Sequence, residues 1–226
     1  MNKIVVGILC GRGDTPEAVG TFAAIRNAGH VGPITPLFGV APTNRIKGGA
    51  YLHMPDANQN KRGRARSELV RRVSKMFSRA DLYVFLDDDT RPEPGYFKHL
   101  AEMELPTDPV LMGGKLVNAD GQRSWDVCGF QDKRPVVVPY LMWNHPIWQG
   151  GLYLSGPQHI FNRTGVELAA RLGYPDLDYG EDTNFCYQFK SAQGKIVFIQ
   201  EITARLAHQH SPPNEAAVWQ SFDDTT

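Results

Sequence analysis

A short apolar run that ends directly in three carboxylates constrains the fold most strongly. Residues 82–86 read LYVFL, and Asp87, Asp88 and Asp89 follow at once. A run this short and this apolar predicts a strand that is buried on both faces. Such strands belong to the parallel sheets of α/β proteins, where ligands bind at the carboxyl ends of the strands. The pattern therefore predicts an α/β fold with a polar site after this strand.

Metal chemistry explains three adjacent carboxylates at such a position. They repel one another, so without a cation some of them would have raised pKa values. A hard divalent cation relieves the repulsion among the carboxylates, and oxygen ligands suit Mg²⁺ or Mn²⁺. Asp87 and Asp89 are two residues apart and can face the same side. Two carboxylates and a substrate diphosphate would complete a Mg²⁺ site, whereas a surface turn that caps the next helix is the alternative.

Strand and helix patterns alternate along the rest of the chain, which predicts an α/β sandwich whose sheet is mostly parallel in its first half. Predicted strands cover residues 4–10, 34–40, 51–53, 82–86, 110–117, 135–143 and 195–200. Predicted helices cover residues 16–27, 64–78, 94–103, 164–172 and 182–193.

Length and composition set the broad class. A chain of 226 residues with 42% apolar residues is one large or two small globular domains. Its apolar runs all fall short of the roughly 18 residues that span a bilayer, so we expect no transmembrane helix. Three widely separated cysteines, Cys10, Cys128 and Cys186, fit no metal spacing and favour a reducing compartment, the cytoplasm.

A basic stretch breaks the overall neutrality of the chain. Residues 61–79 hold eight Lys or Arg and one acid, Glu68, a net charge of +7. A solvated helix face is the ordinary explanation, and an anion site for phosphates is the alternative. Binding of a polyanion such as nucleic acid to this stretch is a further alternative.

Three further features have both a functional and a structural interpretation. Glu181 and Asp182 precede a predicted helix, where acids serve catalysis or simply favour the helix N-terminus. His208 and His210 form an HxH pair that suits a metal site or a polar loop. Residues 120–156 are rich in aromatics that pack in a core or stack on a ligand, and Trp148 is the best pocket candidate.

Taken in order, these segments resemble the GT-A fold glycosyltransferases, especially the family-2-like group. The resemblance rests on FLDDDTRPEPGYF, a Gly-rich GGLYLSG, GEDTNFCYQFKSAQGKIVFI and a late His, and it spans nearly the whole chain. It implies one GT-A-like domain over residues 1–226, with a Rossmann-like mixed sheet flanked by helices. Residues 1–112 would form the nucleotide-sugar half and residues 113–226 the acceptor half.

On the donor side, the resemblance implies a role for each acid of the D-x-D motif. Asp89 would bind the metal directly, and Asp87 would hold the ribose or reach the metal through water. Asp88 is the variable middle residue beside the nucleotide. His208, with His210 as its substitute, would join the metal or the diphosphate.

The resemblance also implies the remaining contacts. Gly63 and Arg66 would touch the nucleotide, and the loop of Gly11 and Arg12 would cradle the base. This loop reads CGRGDTP where the family commonly has a Pro-Thr-Tyr-Asn-like turn, which leaves the choice of base open. Asp182 would be the catalytic base, with Glu181 orienting the acceptor or the sugar.

The activity so implied is metal-dependent transfer of a sugar from a nucleotide-diphosphate sugar, with UDP favoured, to a soluble hydroxyl acceptor. One carboxylate base opposite the leaving group predicts inversion. Three alternatives remain: transfer to a polyanion such as hydroxylated bases in DNA, a nucleotidyltransferase that makes a sugar nucleotide, and a non-catalytic carbohydrate-binding relative.

Overall fold

The computed structural model describes residues 1–40, 51–54, 62–131, 134–145, 152–177 and 180–208. The helices are α1 (Pro16–Asn27), α2 (Arg62–Met76), α3 (Tyr96–Glu102), α4 (Arg163–Leu172) and α5 (Glu181–Ser191). The strands are β1 (Ile4–Cys10), β2 (Ile34–Phe38), β3 (Leu52–His53), β4 (Leu82–Asp87), β5 (Thr90–Pro92), β6 (Val110–Val117), β7 (Val127–Gln131), β8 (Arg134–Val137), β9 (Tyr153–Leu154), β10 (Gln158–Asn162) and β11 (Lys195–Leu206). They form an eight-stranded sheet of order β3-β2-β1-β4-β10-β6-β11-β5 and a small sheet of order β8-β7-β9.

The first half of the large sheet is parallel, as the alternation predicted. Strand β1 pairs in parallel with β2 and β4, and β2 with β3. Strand β1 is apolar on both faces because Val5 and Leu9 enter one core while Val6 and Ile8 enter the other. Helix α2 packs on the first face and α1 on the second. In this register Leu9 lies beside Asp87, so the carboxyl ends of β1 and β4 meet at one edge.

Strand β10 has no counterpart in the sequence prediction, although it lies in the middle of the sheet. It runs antiparallel between β4 and β6. Its sequence, QHIFN, mixes polar and apolar residues, and all of them are buried. Gln158 Oε1 accepts from Gly114 N (2.6 Å), and Asn162 Oδ1 accepts from Gly165 N (2.8 Å) and caps α4. Hydropathy missed this strand because its polar side chains are satisfied by backbone groups.

The prediction of one strand over residues 135–143 was wrong in its second half. Strand β8 ends at Val137, and Tyr140–Met142 forms a 3-10 turn. Tyr140 holds this turn because its hydroxyl donates to the buried Asp126 (2.7 Å) and the Arg123 guanidinium lies 3.6 Å from its ring centre. The last strand also extends to Leu206, beyond the predicted residue 200, because it pairs with both β6 and β5.

Gly63 lies where α2 meets residues 173–177, and there is no room for a side chain. A Cβ at this position would lie 1.6 Å from the Pro175 carbonyl oxygen. Alanine would add about 1 kcal/mol of helix propensity, but overpacking against backbone typically costs about 1–3 kcal/mol. We expect Gly63→Ala to lower the free energy of unfolding by about 2 kcal/mol in urea denaturation. Lys75→Ala, at an exposed position of α2, should stay within about 0.5 kcal/mol. An unchanged midpoint for Gly63→Ala would contradict the packing argument.

His159 on β10 is a buried histidine that the packing keeps neutral. Its Nε2 lies 3.3 Å from the Leu154 carbonyl oxygen and its Nδ1 lies 2.6 Å from the Tyr174 hydroxyl. A carbonyl only accepts, so Nε2 carries the proton and Nδ1 accepts from Tyr174. Burial, and then the charge of Arg66, lower the pKa of His159 to about 4.

The depressed pKa of His159 predicts a loss of stability in acid. In the unfolded chain His159 is protonated below its usual pKa of 6.5, whereas in the folded chain it is protonated only below about pH 4. Neutral His159 therefore contributes fully to the free energy of unfolding above pH 6.5. This contribution, on the order of 3 kcal/mol, is lost as the pH falls to 4. Urea denaturation at pH 7 and pH 5 should show a smaller acid loss for His159→Gln than for the wild type. Equal losses would mean that this histidine does not titrate as described.

Candidate active site

The three carboxylates follow β4 in a turn that the backbone fixes from two sides. Asp87 is the last residue of β4, one residue beyond the end that the apolar run predicted. Thr21 Oγ1 on α1 donates to the Asp88 carbonyl (2.7 Å), and Ala207 N, just after β11, donates to the Asp89 carbonyl (2.8 Å). These two hydrogen bonds to its carbonyls fix the backbone of the turn.

Arg66 lies at the centre of the site and joins two acidic segments that are distant in sequence. Its guanidinium is 6% exposed. Nη2 donates to Asp87 Oδ2 (2.9 Å), Nε donates to Glu181 Oε1 (3.2 Å), and Nη1 donates to the Gly156 carbonyl (2.8 Å). Burial alone would lower the pKa of Arg66, but the charges of Asp87 and Glu181 outweigh it and raise the pKa. The guanidinium therefore stays charged and links the end of β4 to the start of α5.

Three carboxylates of the site have raised pKa values, and burial contributes more to the rise than the mutual repulsion on which the sequence prediction rested. Burial raises the pKa of Asp87, against the opposing charge of Arg66. Burial, and then the charges of Asp87 and Asp89, raise the pKa of Asp88 to about 7. Burial, and then the charge of Asp182, raise the pKa of Glu181 to about 7. The opposing charges of Arg66, Arg62 and Arg12 do not cancel these rises, so a bound cation would relieve the repulsion among the acids.

Asp87 also has one oxygen that its surroundings leave unused. Oδ1 is buried and accepts no hydrogen bond from the residues that the structure describes. Within those residues, no three His, Cys, Asp or Glu side chains come close enough to hold a metal ion by themselves. The donor set of Asp87 and Asp89 fits a cation that takes its remaining ligands from a diphosphate.

Asp182 is held beside this group by backbone donors. Its Oδ2 accepts from Gly156 N (2.7 Å) and its Oδ1 from Thr183 N (2.8 Å). Gly156 thus donates to Asp182 through its N–H and accepts from Arg66 through its carbonyl. A Cβ on Gly156 would lie 2.9 Å from Arg66 Nη2 and 3.3 Å from Asp182 Oδ2, so only glycine leaves both groups in place. The sequence analysis gave Gly156 no role, and its one signal was the Gly-rich run in which it stands.

The other predicted donor-side residues lie around the same edge. Gly11 and Arg12 are in the turn after β1, and the charge of the exposed Arg12 partly opposes the rise in the pKa of Asp88. Gly63 packs against Pro175. His208 is exposed, and its Nε2 lies 3.9 Å from Glu17 Oε1 in the first turn of α1. The predicted roles of Trp148 and His210 fall on residues outside the described part of the chain.

The basic face of α2 is partly neutralised by the chain itself. Arg66 is buried among acids, and Arg71 and Arg72 both pair with Glu68. Arg66, Arg71 and Arg72 are therefore committed to internal partners. This supports the solvated-face interpretation and gives no support to a nucleic-acid acceptor.

Core packing accounts for most described aromatics of residues 120–156. Tyr153 is buried, and Trp125, Phe130, Tyr140 and Trp143 pack against the same core. Tyr140 stacks on Phe198 at 5.2 Å between ring centres.

Three solved structures share this architecture. The chain is similar to GalNAc-T7 with UDP, GalNAc and Mn²⁺, with a TM-score of 0.62 and 11% identity over 94% of this chain and 45% of that one. It is also similar to TarS of S. aureus, with a TM-score of 0.58 and 11% identity over 93% of this chain and 37% of that one. For TarS residues 1–349 the TM-score is 0.59 at 12% identity, over 90% of this chain and 60% of that one.

The likeness is one of fold rather than of sequence. No family model matches the chain, and no curated protein matches it. The chain spans less than two thirds of the length of each of these three structures. None of the helices in the described ranges is long and apolar enough to cross a membrane. The mixed sheet flanked by helices confirms the expected fold class: the chain has the GT-A glycosyltransferase fold.

Proposed function

We propose that this protein is a metal-dependent glycosyltransferase that moves a sugar from a nucleotide-diphosphate sugar, with UDP favoured, to a hydroxyl acceptor. One observation carries the proposal. Arg66 bridges Asp87, at the end of β4, and Glu181, next to Asp182, so that carboxylates suited to the donor and to the acceptor stand in one site. The GT-A fold, and the UDP and Mn²⁺ present with GalNAc-T7, support it.

On the donor side, Asp89 and Asp87 would hold Mn²⁺ or Mg²⁺, and the donor diphosphate would supply further ligands. When bound, the cation stabilises the negative charge of the departing diphosphate. The unused Oδ1 of Asp87 supports a role at the metal or the ribose. We assign His208, or His210 in its place, to the metal or the diphosphate.

The nucleotide would lie across the carboxyl ends of β1 and β4. Gly11 and Arg12 would border the base, since they follow β1 and Arg12 acts electrostatically on Asp88. Arg66 is committed to three internal acceptors, so we assign it the positioning of Asp87 and Glu181 more than direct contact with the nucleotide. Gly63 would allow α2 to approach closely, and Trp148 remains a candidate for the pocket wall.

On the acceptor side, Asp182 would take the proton of the attacking hydroxyl. The N–H groups of Gly156 and Thr183 orient its two oxygens, and the Thr183 hydroxyl lies 3.4 Å from Oδ1. Glu181 is fixed by Arg66 and would orient the acceptor or the sugar. A single base on the face opposite the leaving group gives inversion at the anomeric carbon.

In this proposal the two halves of the sequence bind different substrates. Residues 1–112 would bind the donor and residues 113–226 the acceptor, with Arg66 joining them through Asp87 on one side and Gly156 and Glu181 on the other. The free and buried state of Cys10, Cys128 and Cys186 supports a reducing compartment such as the cytoplasm.

Calorimetric titration of UDP and of GDP, each with and without Mn²⁺, tests the proposal. We expect UDP to bind only when Mn²⁺ is present, and Asp89→Ala to weaken binding at least 30-fold, about 2 kcal/mol, because it removes a charged ligand. Asp120→Asn, at an exposed acid in the turn after β6, is the matched control and should bind like the wild type. Tight Mn²⁺-dependent binding of GDP but not of UDP would show that the donor carries guanine rather than uracil. Absence of any metal-dependent nucleotide binding would overturn the proposal and leave the three acids as a structural turn.

A further inference from the structure

A cavity lies at the end of the sheet opposite the carboxylates. It has a volume of about 960 Å³ and is lined by residues 1–5, 28–33, 76–80 and part of α3. These segments surround the starts of β1 and β4. Strand β4 is six residues long, and at about 3.3 Å per residue its length places this cavity roughly 17–20 Å from Asp87. The cavity is therefore separate from the candidate active site.

The floor of this cavity is apolar. Val5, Ala28, Ala80 and Phe97 line it and are themselves almost fully buried. Val31, at the rim, is 95% exposed although it is a large apolar residue. Pockets of about 300–1,000 Å³ with apolar walls are the usual size for small-molecule ligands. An apolar hollow of this volume is suited to a small ligand rather than to a flat protein face.

The rim of the cavity carries uncompensated positive charge. Its lining includes Lys3, Arg79 and Lys98 but one carboxylate, Glu102. Within the described residues, the side chains of these three cations form no hydrogen bond or ion pair. The nearby acid, Asp81, is already paired with Arg163 at 2.9 Å. The rim can therefore accept an anion without displacing a partner.

His30 does not change this charge balance. It lines the cavity at 4% exposure, with its Nε2 3.2 Å from the Pro33 carbonyl and its ring against Phe97 at 4.7 Å. Burial lowers the pKa of His30, so it is neutral at pH 7. It belongs to the floor rather than to the charged rim.

We propose that this cavity binds a small amphiphile that has an alkyl chain and an anionic head group. The alkyl chain would lie on the apolar floor, and the head group would lie among Lys3, Arg79 and Lys98. A free inorganic anion would leave the floor unused, and a neutral amphiphile would leave the cations unused. The combination of apolar floor and basic rim therefore selects a ligand that has both parts. This site is independent of the proposed sugar transfer.

Titration of the full chain with dodecyl phosphate, below its micelle concentration, tests the proposal. Dodecyl maltoside and inorganic phosphate are the controls for chain and head group. We expect dodecyl phosphate to bind at least tenfold more tightly than either, and octyl phosphate to bind more weakly than dodecyl phosphate. Saturating UDP and Mn²⁺ should leave this binding unchanged, because the active site lies at the opposite edge.

Substitutions locate the binding site. Lys98→Gln should weaken dodecyl phosphate binding about fivefold, whereas Lys75→Gln, an exposed cation of α2 outside the cavity lining, should have no effect. Ala101→Phe should block binding by filling the floor, and Lys98→Gln remains informative if that variant fails to fold. Equal binding of dodecyl maltoside, equal binding of inorganic phosphate, or an unchanged affinity in Lys98→Gln would each overturn the proposal.

Discussion

Asp182→Asn should reduce sugar transfer by about 10²–10⁴-fold while leaving nucleotide binding intact. The carboxylate is proposed to face the acceptor, and its oxygens accept from Gly156 N and Thr183 N. An amide has one acceptor oxygen, so one of these N–H groups loses its partner at a cost of about 1 kcal/mol. The fold should tolerate that cost, but the amide cannot take up a proton at neutral pH.

The readout for Asp182→Asn is the rate of UDP release from the UDP-sugar that the wild type turns over in a donor panel, with and without free sugar acceptors. The affinity for UDP with Mn²⁺ should stay within about threefold of the wild type, since Asp182 is proposed to touch the acceptor rather than the nucleotide. Asp176→Asn changes an exposed acid of the segment before α5 and is the matched control. An undiminished rate in Asp182→Asn would place the base elsewhere.

Arg66→Met should be the most destabilising substitution in the site. The guanidinium is 6% exposed and compensates two acids, of which Glu181 is 5% exposed. Removing one partner from a buried ion pair typically costs about 3–5 kcal/mol because the other charge stays buried and unpaired. In a domain of this size each kcal/mol lowers the melting temperature by about 2–4 °C, so we expect a loss of roughly 6–20 °C.

Arg72→Met is the matched control for Arg66→Met. It removes the same kind of side chain from the same helix and also breaks an ion pair, with Glu68, but Arg72 is 43% exposed. Exposed pairs contribute about 0–1 kcal/mol, so the melting temperature should fall by at most a few degrees. Equal losses in the two variants would show that burial does not set the strength of the Arg66 network. Substitution of Arg66 should also raise the pH at which Glu181 ionises, because the pKa of Glu181 is already raised by burial and Arg66 opposes that rise.

The sequence predicted the strands and helices that are specified by interactions between residues close together in the chain. Strand β1 and helix α1 were predicted with their observed bounds because an apolar run, the Thr15 cap and Pro16 all act within a few residues. The position of Asp87 at the end of a buried strand was predicted for the same reason. Strand β10 was missed because its buried Gln158 and Asn162 side chains accept from backbone N–H groups of β6, which hydropathy does not register.

The candidate site also has features that the sequence predicts and features that depend on the tertiary structure. The sequence by itself determined which residue types can carry the chemistry: three acids at the end of β4, an acidic pair in the first turn of α5, and a basic α2. Only the tertiary structure decided that Arg66 turns inward to join Asp87 and Glu181, while Arg71 and Arg72 stay at the surface with Glu68. It also decided that Gly156 supplies the backbone contacts for both halves of the site. The reason is physical: a charge's partners are set by the packing of segments that are 21 to 115 residues apart in sequence, and no local pattern encodes those distances.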